Sequence, residues 1–305
     1  MPAVVVVGSA NMDFTVQVDR APKPGETIFG RNLLISFGGK GANQAVAVRR
    51  AGAAVAFVGK VGQDQHGEQI RTHLETVGIG EAGLISDASC ATGVAFILVE
   101  PDGRNQIVVA SGCNYRLTPA EIEARDHLLT GEILLLQLET PVETVFSALR
   151  RAKEKGMRTI LNPAPATRLP QEVFPLVDLL TPNETEASTL TGVAVEDRGG
   201  AEKAGANLLA MGCGGVIITL GADGALWMSK DGTQHFPGFS VQPVDSTAAG
   251  DAFNGALAAA LAEGSALEEA IPFANAAGAV ATTRRGAQES LPDRAAILAL
   301  VSSVK

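Results

Sequence analysis

Short runs of consecutive apolar residues alternate with stretches of helical periodicity along most of the chain. Such runs are typical of strands that are buried on both faces. Predicted strands cover Val4–Val7, Ala54–Val58, Ile133–Leu138, Thr159–Leu161, Leu176–Leu180 and Val216–Thr219. Predicted helices cover Ala42–Ala51, Gly67–Val77, Pro119–Leu129, Val142–Lys155, Glu184–Thr191 and Ala201–Met211. The alternation predicts an α/β fold, with a mainly parallel sheet that is covered by helices on both faces. We predict that residues 1–305 form a single domain.

Two segments, 14–37 and 92–110, break this alternation. Each reads as a strand–turn–strand unit, with turn signals at Pro24-Gly25 and Asp102-Gly103. We predict that the two units join as a small antiparallel sheet that projects from the main domain as a lid. The exposed apolar face of such a sheet needs cover, and a second copy would supply it, which predicts a homodimer through the lid. The alternative is that both hairpins extend the main sheet.

The charge balance and the cysteine pattern disfavour several classes of protein. The chain carries 24 Lys and Arg against 33 Asp and Glu, a net charge of −9, which disfavours non-specific binding to nucleic acid or to an anionic membrane. No basic targeting segment precedes the first strand and no apolar run reaches the length of a membrane span, which predicts a cytoplasmic location. Cys90, Cys113 and Cys213 are far apart and odd in number, without a CxxC. We therefore expect neither a disulfide framework nor a cysteine zinc site.

Polar residues cluster where the predicted strands end. In open α/β sheets, ligands bind beyond the carboxyl ends of the strands. Taken singly, each of these residues is explained as a helix cap or a turn residue, but their shared place at one edge favours a ligand site. The residues are Asn11, Asp13, Glu139, Asn162, Asn183, Glu186, Thr219 and Gly221.

A glycine-rich turn, Phe37–Gln44, holds one lysine and one asparagine at the start of a predicted helix. It is not a Walker A loop, because the GxxxxGK[ST] spacing is absent. Gly39 lets the backbone approach a ligand closely, Lys40 can balance a developing phosphate charge, and Asn43 can hydrogen-bond neighbouring sugar hydroxyls. The alternative is a glycine-rich connection with a solvated lysine, but the density of glycine around a single lysine favours a functional role.

The segment Asp245–Gly255, DSTAAGDAFNG, reads as a turn of small residues that leads into a helix. Free N–H groups at a helix start attract anions, phosphates above all, and Ala248, Ala249 and Gly250 have no bulk to keep a phosphate away. Asp251 then lies beside that phosphate as a candidate general base, which suggests phosphoryl transfer to an alcohol. The alternative, favoured by the local pattern alone, is that Asp251 is an ordinary helix N-cap.

One glycine pattern, Gly78–Gly83, matches the GxGxxG of dinucleotide-binding proteins but lies in the wrong context. It follows a predicted helix instead of a strand, and no long helix opens after it. Gly78 is better explained as the residue that ends the preceding helix. This reading argues against a nicotinamide-dependent enzyme.

Together these segments resemble the ribokinase-type (PfkB) carbohydrate kinases. Two signature segments carry the resemblance, GGKGANQAVA at 38–47 and DSTAAGDAFNG at 245–255. Three shorter segments add to it: NPAPA at 162–166, PNETEA at 182–187 and TLGADG at 219–224. The resemblance runs from GSANMD at 8–13 to RRGAQESLP at 284–292 and so covers nearly the whole chain. It implies a three-layer α/β/α core with a mainly parallel sheet, plus a small antiparallel β lid.

The resemblance implies ATP-dependent phosphorylation of a sugar at its primary hydroxyl, with D-ribose at O5 as the main interpretation. Asp251 is then the catalytic base that takes the hydroxyl proton, and the backbone of Ala248, Ala249 and Gly250 is the anion hole. The implied sugar-binding set is Asn11, Met12, Asp13, Gly39, Lys40, Gly41, Ala42, Asn43, Glu139 and Asp251. The implied nucleotide-binding set is Asn183, Glu186, Thr219, Leu220, Gly221, Ala222, Asp223, Gly224, Gly250, Asp251 and Asn275.

The resemblance also implies two cations. Mg²⁺ accompanies ATP, and Asn183 and Glu186 organise it with the phosphates through water. A monovalent cation, usually potassium, binds beside the anion hole, held by side-chain oxygens of Asp245 and Thr247 and mainly by backbone carbonyls elsewhere. The implied potassium set is Asp245, Thr247, Ala281, Arg284, Gly286 and Ser290. The alternative for Asp245 is turn stabilisation.

The nearest alternative function is a kinase of the same family that acts on 2-deoxyribose, another sugar or a nucleoside. Asn11, Asp13 and Asn43 together favour a free, hydroxyl-rich sugar, and a chain with 4% aromatic residues has little with which to line a base pocket. A non-catalytic sugar-binding protein is a second alternative, which the presence of Asp251 disfavours. The implied partners are D-ribose and ATP, with neither nucleic acid nor membrane among them.

Overall fold

A computed structural model describes residues 2–101 and 104–303. Its strands are β1 (Val4–Val7), β2 (Asn11–Gln17), β3 (Arg31–Gly38), β4 (Val55–Gly62), β5 (Leu84–Asp87), β6 (Gly93–Val99), β7 (Asn105–Ala110), β8 (Ile133–Leu136), β9 (Arg158–Leu161), β10 (Leu179–Leu180), β11 (Val216–Thr219), β12 (Ala225–Ser229) and β13 (Gly232–Phe236). Its α-helices are α1 (Lys40–Arg50), α2 (Gln65–Thr76), α3 (Pro119–Ala124), α4 (Val142–Glu154), α5 (Glu184–Thr191), α6 (Arg198–Ala210), α7 (Ala249–Ala262), α8 (Leu267–Thr282) and α9 (Arg294–Ser302). Within those residues, no helix is both long enough and apolar enough to cross a membrane, and the cytoplasmic location stays a prediction.

The main sheet has nine strands within the described residues, in the order β13-β12-β11-β10-β9-β8-β1-β4-β5. The strands from β11 to β5 run parallel, and β12 and β13 form an antiparallel hairpin at one edge. In β1, Val4 and Val6 pack into the core on one face of the sheet, and Val5 and Val7 into the core on the other, as the alternation of side chains along a strand requires. The prediction of a mainly parallel sheet covered on both faces is confirmed.

A second sheet, with four strands in the described ranges, stands apart from the main sheet in the order β3-β2-β6-β7. The hairpins β2–β3 and β6–β7 are antiparallel, and β2 joins β6 in a parallel pairing. We refer to these four strands as the lid sheet. The separate small sheet is confirmed, and the alternative that the hairpins extend the main sheet is wrong. Gly25, with φ of 79°, lies in the first predicted turn, whereas the predicted turn at Asp102-Gly103 lies outside the described residues.

Two predicted elements are shorter by three residues or more in the structure. Of the run Leu176–Leu180, only the last two residues pair as β10, because Gln171–Leu176 forms a 3-10 helix that contains Pro175. Proline has no N–H to donate to a strand ladder. The helix predicted over Pro119–Leu129 ends at Ala124. The alternation along the chain does not predict the strands β5, β12 and β13 or the helices α7, α8 and α9, although the small-residue turn before α7 predicts that helix separately.

Cys90 and Cys113 form a disulfide, with their Cα atoms 5.3 Å apart, so the expectation of no disulfide is wrong. The two cysteines flank the β6–β7 hairpin, whose antiparallel strands bring the ends of this segment together. Cysteine spacing along the chain does not reveal this pairing, because the distance between Cα atoms is set by the fold. Cys213 is a free, buried thiol.

Candidate active site

The start of α7 forms the first part of the site. Ala248 caps the helix in the left-handed region, with φ of 59°, and Asp251 is the third helical residue, so the interpretation of Asp251 as the N-cap is wrong. The N–H of Ala249 donates to the carbonyl of Ser246 at 3.2 Å. No acceptor among the described residues meets the N–H groups of Gly250 and Asp251. These two amides, at the positive end of the helix dipole, are available to an anion.

Asp251 is buried, and both of its carboxylate oxygens are held. Asn43 donates from Nδ2 to Oδ2 at 2.9 Å, and Gln44 donates from Nε2 to Oδ1 at 2.9 Å. Burial raises the pKa of Asp251, and the charge of Lys40 together with the two amides opposes that rise. An oriented carboxylate beside free helix-start amides is suited to take a proton from a hydroxyl that attacks a phosphoryl group.

Asp13 on β2 brings a second carboxylate to the site. It is buried, and its Oδ1 has no hydrogen-bond partner among the described residues; the same holds for Oδ1 of Asn43. Burial, with repulsion from neighbouring carboxylates, Glu139 first among them, raises the pKa of Asp13 to about 7. Buried acceptors without donors are costly, so both atoms indicate a ligand that carries hydroxyl groups.

Asn11 is held in place by Asn114, a residue outside the predicted site. Asn114 donates from Nδ2 to Asn11 Oδ1 at 2.7 Å, and its own Oδ1 accepts from the N–H of Ala10 at 3.0 Å. A Cβ on Gly93 would collide with both amide side chains, so glycine at this position leaves room for the pair. The amide of Asn11 is thereby fixed at the base of the lid sheet.

Gly39 turns the chain from β3 into α1, with φ of 86°. A Cβ there would lie 2.8 Å from the backbone nitrogen of Asn11, so both the conformation and the close approach require glycine. Glu139 Oε2 accepts from the N–H of Lys40 at 3.0 Å and from the hydroxyl of Ser9 at 2.5 Å. Glu139 therefore joins the end of β8 to the glycine-rich turn and to the end of β1.

Three members of the predicted sugar-binding set pack the protein interior. The side chains of Met12 and Ala42 belong to the hydrophobic core. A Cβ on Gly41 would lie 2.5 Å from the backbone nitrogen of Ser9, so Gly41 lets α1 pack closely against the end of β1. None of the three offers a polar side-chain atom, and their role in sugar binding stays a prediction that concerns the backbone.

Asn183 and Glu186 form a capping box at the start of α5. Asn183 Oδ1 accepts from the N–H of Glu186 at 2.8 Å, and Glu186 Oε2 accepts from the N–H of Asn183 at 2.9 Å, so the helix-cap interpretation is confirmed for this pair. Burial raises the pKa of Glu186, while the N–H of Asn183 and the charge of Lys40 oppose the rise. Carboxylate oxygens suit Mg²⁺, which usually keeps several of its waters, so contact through water with the hydrogen-bonded Glu186 carboxylate is compatible with this geometry.

The turn after β11 lies beside this capping box. Thr219 bridges to Asn183, which places the ends of two neighbouring strands side by side. The N–H of Leu220 donates to the carbonyl of Gly224 at 2.8 Å and closes the turn. The residues between them are exposed: Gly221, Ala222 and Asp223. This turn is an accessible surface near Glu186, as a nucleotide site requires.

Asn275 in α8 donates from Nδ2 to the carbonyls of Phe236 and Pro237, each at 3.3 Å. It is buried, and these contacts hold the end of β13 against the helix. The structure thus gives Asn275 a structural role. Its contact with a nucleotide stays a prediction.

Two segments of the predicted potassium set meet beside a cleft of about 880 Å³ under the lid sheet. Asp245 Oδ2 accepts from the N–H of Gly286 at 3.0 Å, and Oδ1 accepts from the N–H and the hydroxyl of Thr247 at 2.9 and 2.6 Å. Burial raises the pKa of Asp245, but these hydrogen bonds outweigh it and hold the pKa below its usual value. The interpretation of Asp245 as a turn stabiliser is therefore correct, and its charge also favours a nearby cation.

The other predicted potassium positions lie around and beyond the end of α8. The carbonyl of Ala281 accepts from the N–H of Arg284 at 3.2 Å, and the buried hydroxyl of Ser290 donates to the carbonyl of Ala287 at 2.8 Å. In residues 2–101 and 104–303, no three His, Cys, Asp or Glu are grouped to hold a metal ion. A cation at this place would rely on backbone carbonyls, which suits a large, weakly hydrated ion.

Three buried amides complete the site and are absent from the predicted set. Gln44 contacts Asp251 directly, Gln137 donates from Nε2 to Gln44 Oε1 at 2.5 Å, and Asn254 donates from Nδ2 to the carbonyl of Gly250 at 2.8 Å. Gln137 directly follows the apolar strand β8, and Gln44 and Asn254 lie among the buried residues of α1 and α7. A polar residue at such a position is the available signal, since burial without partners is unfavourable.

Comparison with known proteins identifies the family to which this chain belongs. The model of the pfkB family carbohydrate kinases matches residues 1–294. A ribokinase of Haemophilus influenzae is 43% identical over 292 residues, which are 95% of each chain. A deoxyribokinase of Salmonella typhimurium is 36% identical over 291 residues, also 95% of each chain. The structure of an Arabidopsis thaliana ribokinase complexed with ribose and ATP has a TM-score of 0.90 and 34% identity and covers 98% of each chain. Because the family model covers almost the whole length, this chain belongs to the pfkB family of carbohydrate kinases.

Proposed function

We propose that this protein transfers the γ-phosphoryl group of ATP to the primary hydroxyl, O5, of D-ribose and releases D-ribose 5-phosphate and ADP. One observation carries the proposal: Asn43 donates to Asp251, while its own Oδ1 has no partner among the described residues. A hydroxyl-bearing ligand that satisfied this atom would therefore lie next to the carboxylate. The relatives named ribokinase, one of them complexed with ribose and ATP, support ribose as that ligand.

The helix start of α7 performs the transfer. Asp251 accepts the O5 proton as that oxygen attacks the γ-phosphorus and the bond to the leaving ADP oxygen breaks. The backbone at Ala248, Ala249 and Gly250 receives the transferred group, and the free N–H groups of Gly250 and Asp251 are available to its negative charge. Burial lowers the pKa of Lys40, but the charges of Asp251 and its neighbouring carboxylates outweigh this and raise it. Lys40 therefore stays protonated and balances phosphate charge.

The lid sheet and the glycine-rich turn hold the sugar. Asn11 and Asp13 offer oriented polar atoms from β2, and Asn43 offers its unpaired Oδ1 from α1. Gly39 keeps the backbone close enough for contact, and Glu139 fixes the turn on which Lys40 lies. A lid that covers the cleft excludes water and so suppresses transfer of the phosphoryl group to water.

ATP occupies the opposite side of Asp251 in this proposal. The turn Thr219–Gly224 provides its accessible surface, and Asn275 supports that region through the end of β13. Asn183 and Glu186 would hold Mg²⁺ in this proposal. When bound, this ion neutralises phosphate charge, which is the chemistry that phosphoryl transfer needs most.

Acceptor preference tests the proposed function. ADP release is measured with ATP, magnesium and potassium on D-ribose, 2-deoxy-D-ribose, D-fructose and adenosine. We expect the highest kcat/KM on D-ribose. A higher value on 2-deoxy-D-ribose, a deoxyribose as in the name of the deoxyribokinase from Salmonella typhimurium, would retain the mechanism and replace the substrate. Turnover on none of the four, combined with calorimetric binding of D-ribose, would favour a sugar-binding protein.

We also propose that potassium binds beside the helix start and activates the kinase. Adding KCl at constant ionic strength, with choline chloride as the balancing salt, should raise kcat. Asp245→Asn should flatten this response, because it removes the negative charge that attracts the cation. The exposed Asp231, in the β12–β13 turn, provides the control Asp231→Asn, which should respond like the wild type. Equal responses of all three proteins would contradict the potassium site.

One apolar row of the lid sheet supports a homodimer. The row is formed by Ile35, Phe14, Phe96 and Val108, which pair side by side across the four strands. Ile35, Phe96 and Val108 are 49%, 51% and 68% exposed. A contiguous apolar surface of this kind is typical of an interface. We propose that the same face of a second copy covers it, related by a two-fold axis.

Val108→Asp should convert this dimer to a monomer, because the interface would then bury an unpaired charge. Sedimentation velocity of the wild type and the variant measures the change. The control is Leu298→Asp on α9, where a 45% exposed leucine lies away from the lid sheet, and it should remain dimeric. A monomeric wild type, or dissociation by both substitutions alike, would contradict the interface.

A further inference from the structure

The buried amide network assigns a role to Gln44 that deepens the proposed function and rests on it. We propose that Gln44 is a positioning residue: its amide fixes the orientation of the Asp251 carboxylate without touching sugar or ATP. Gln44 is fully buried in α1. Its Nε2 donates to Asp251 Oδ1 at 2.9 Å and to Asn162 Oδ1 at 3.1 Å. Both N–H groups of the amide therefore donate to oxygen atoms of the protein.

The network permits one orientation of this amide. A carboxylate only accepts hydrogen bonds, so the NH₂ group of Gln44 must face Asp251. Gln137 then donates from Nε2 to Gln44 Oε1 at 2.5 Å. Asn162 is oriented independently, because its Nδ2 donates to the carbonyl of Thr181 at 3.0 Å and leaves Oδ1 as the acceptor for Gln44. Rotating the Gln44 amide by half a turn would set its oxygen against two acceptors.

The same network reaches the helix start. The hydroxyl of Thr181 donates to Asn254 Oδ1 at 2.6 Å, and Asn254 Nδ2 donates to the carbonyl of Gly250 at 2.8 Å. A continuous path of hydrogen bonds therefore joins the carboxylate of Asp251 to the backbone that receives the phosphoryl group. Gln44 is the member of this path that contacts Asp251 directly. Its amide therefore fixes the position of the base relative to the anion hole.

Asn43 and Gln44 each donate to one of the two carboxylate oxygens of Asp251, but their own side-chain oxygens differ in whether they have a hydrogen-bond partner. Asn43 keeps an unpaired Oδ1 for a ligand. Gln44 is fully buried, and none of its side-chain polar atoms lacks a partner among the described residues. Its effect on turnover therefore has to pass through Asp251, which separates positioning from substrate binding.

The charges that face Asp251 are unaffected by a neutral substitution at Gln44. They come from Lys40 of α1, Glu139 after β8, Asp13 of the lid sheet and Glu186 of α5. Losing a donated hydrogen bond disfavours the ionised carboxylate. The acid limb of the kcat profile should then move to higher pH, an effect that loosened packing alone does not produce.

The test compares Gln44→Met, Gln137→Met and Thr144→Val with the wild type. Gln44→Met keeps the length of the side chain without its donors and should lower kcat for D-ribose on the order of 10²-fold, with KM unchanged and the acid limb at higher pH. Gln137→Met should lower kcat less, because Gln137 contacts the amide of Gln44 and not Asp251 itself. Thr144→Val removes a buried hydrogen bond of 2.6 Å to Leu117 in the α4 region. It should lower Tm and leave both kcat and the acid limb unchanged.

A second readout does not depend on turnover. Carboxyl ¹³C NMR of the ligand-free protein, with Asp251 assigned through Asp251→Asn, should show a higher pKa of Asp251 in Gln44→Met. An unchanged pKa, a wild-type kcat in the folded variant, or a raised KM at constant kcat would each overturn the positioning role. Absence of wild-type turnover on every acceptor would overturn the proposed function instead, and the titration would still decide the role of Gln44.

Discussion

Asp251→Asn is expected to lower kcat for ribose phosphorylation about 10²- to 10⁴-fold, the range that a positioned general base contributes. The amide cannot take the O5 proton, and it leaves one of the two donors, Asn43 or Gln44, without an acceptor. The loss should fall on kcat, because the sugar contacts of Asn11 and Asp13 are unchanged. Steady-state kinetics with saturating ATP measures it.

The control for this substitution is a measurement of thermal stability and of D-ribose binding, which shows whether the variant is folded. Burial raises the pKa of Asp251, so its charge destabilises the native state at neutral pH, and removing that charge offsets the lost hydrogen bond. We expect Tm within a few degrees of the wild type and retained binding of D-ribose by calorimetry. A fully active variant would show that Asp251 is not the base, whatever its contacts.

Asp13→Asn is expected to raise the KM for D-ribose about 10- to 100-fold, because a hydrogen bond to a charged group contributes about 1.5–3 kcal/mol. Asp13 offers an unpaired, buried Oδ1 to the ligand. The substituted amide replaces an acceptor by a donor at one of the two positions. Kinetics with varied D-ribose at pH 8 measures the change, and kcat should fall much less than KM rises.

The same substitution should stabilise the ligand-free protein in a pH-dependent way. The pKa of Asp13 lies at about 7 in the native state against a usual value of 3.8, so the wild type loses stability as pH rises from about 4 to about 7. The Tm of Asp13→Asn should therefore exceed that of the wild type at pH 8, and the difference should disappear near pH 4. Asp231→Asn is again the control, without such a trend. A Tm difference that is constant with pH would contradict the burial of a charged Asp13.

The position of the candidate site is predictable from sequence because strand ends and the polar residues after them are local features. Asn183 and Glu186 follow a buried strand, and the glycine-rich turn and the α7 start are continuous segments. In a parallel sheet these ends meet at one edge without any knowledge of side-chain contacts. The separate lid sheet is likewise indicated by two hairpins that interrupt the α/β alternation.

The contacts that orient the candidate catalytic groups are not predictable in this way. Gln44 and Gln137 are 93 residues apart, and Gln44 and Asp251 are 207 apart. Each looks like an isolated polar residue until the fold brings them together. The Cys90–Cys113 disulfide is not predictable from sequence for the same reason, because the β6–β7 hairpin is what brings the two thiols within reach. Local propensity determines the secondary-structure elements, whereas these side-chain contacts and the disulfide depend on packing between distant parts of the chain.

The most direct measurement identifies the atom of a labelled sugar to which the phosphoryl group is transferred. The wild-type protein is incubated with ATP, magnesium, potassium and D-ribose carrying ¹³C at C5, and the product is examined by ¹³C and ³¹P NMR. Asp251→Asn is run beside it under the same conditions. We expect the C5 signal to shift and to couple to phosphorus in the wild type and to stay largely unchanged in the variant. Inorganic phosphate alone, or coupling at another carbon, would contradict transfer to O5 with Asp251 as the base.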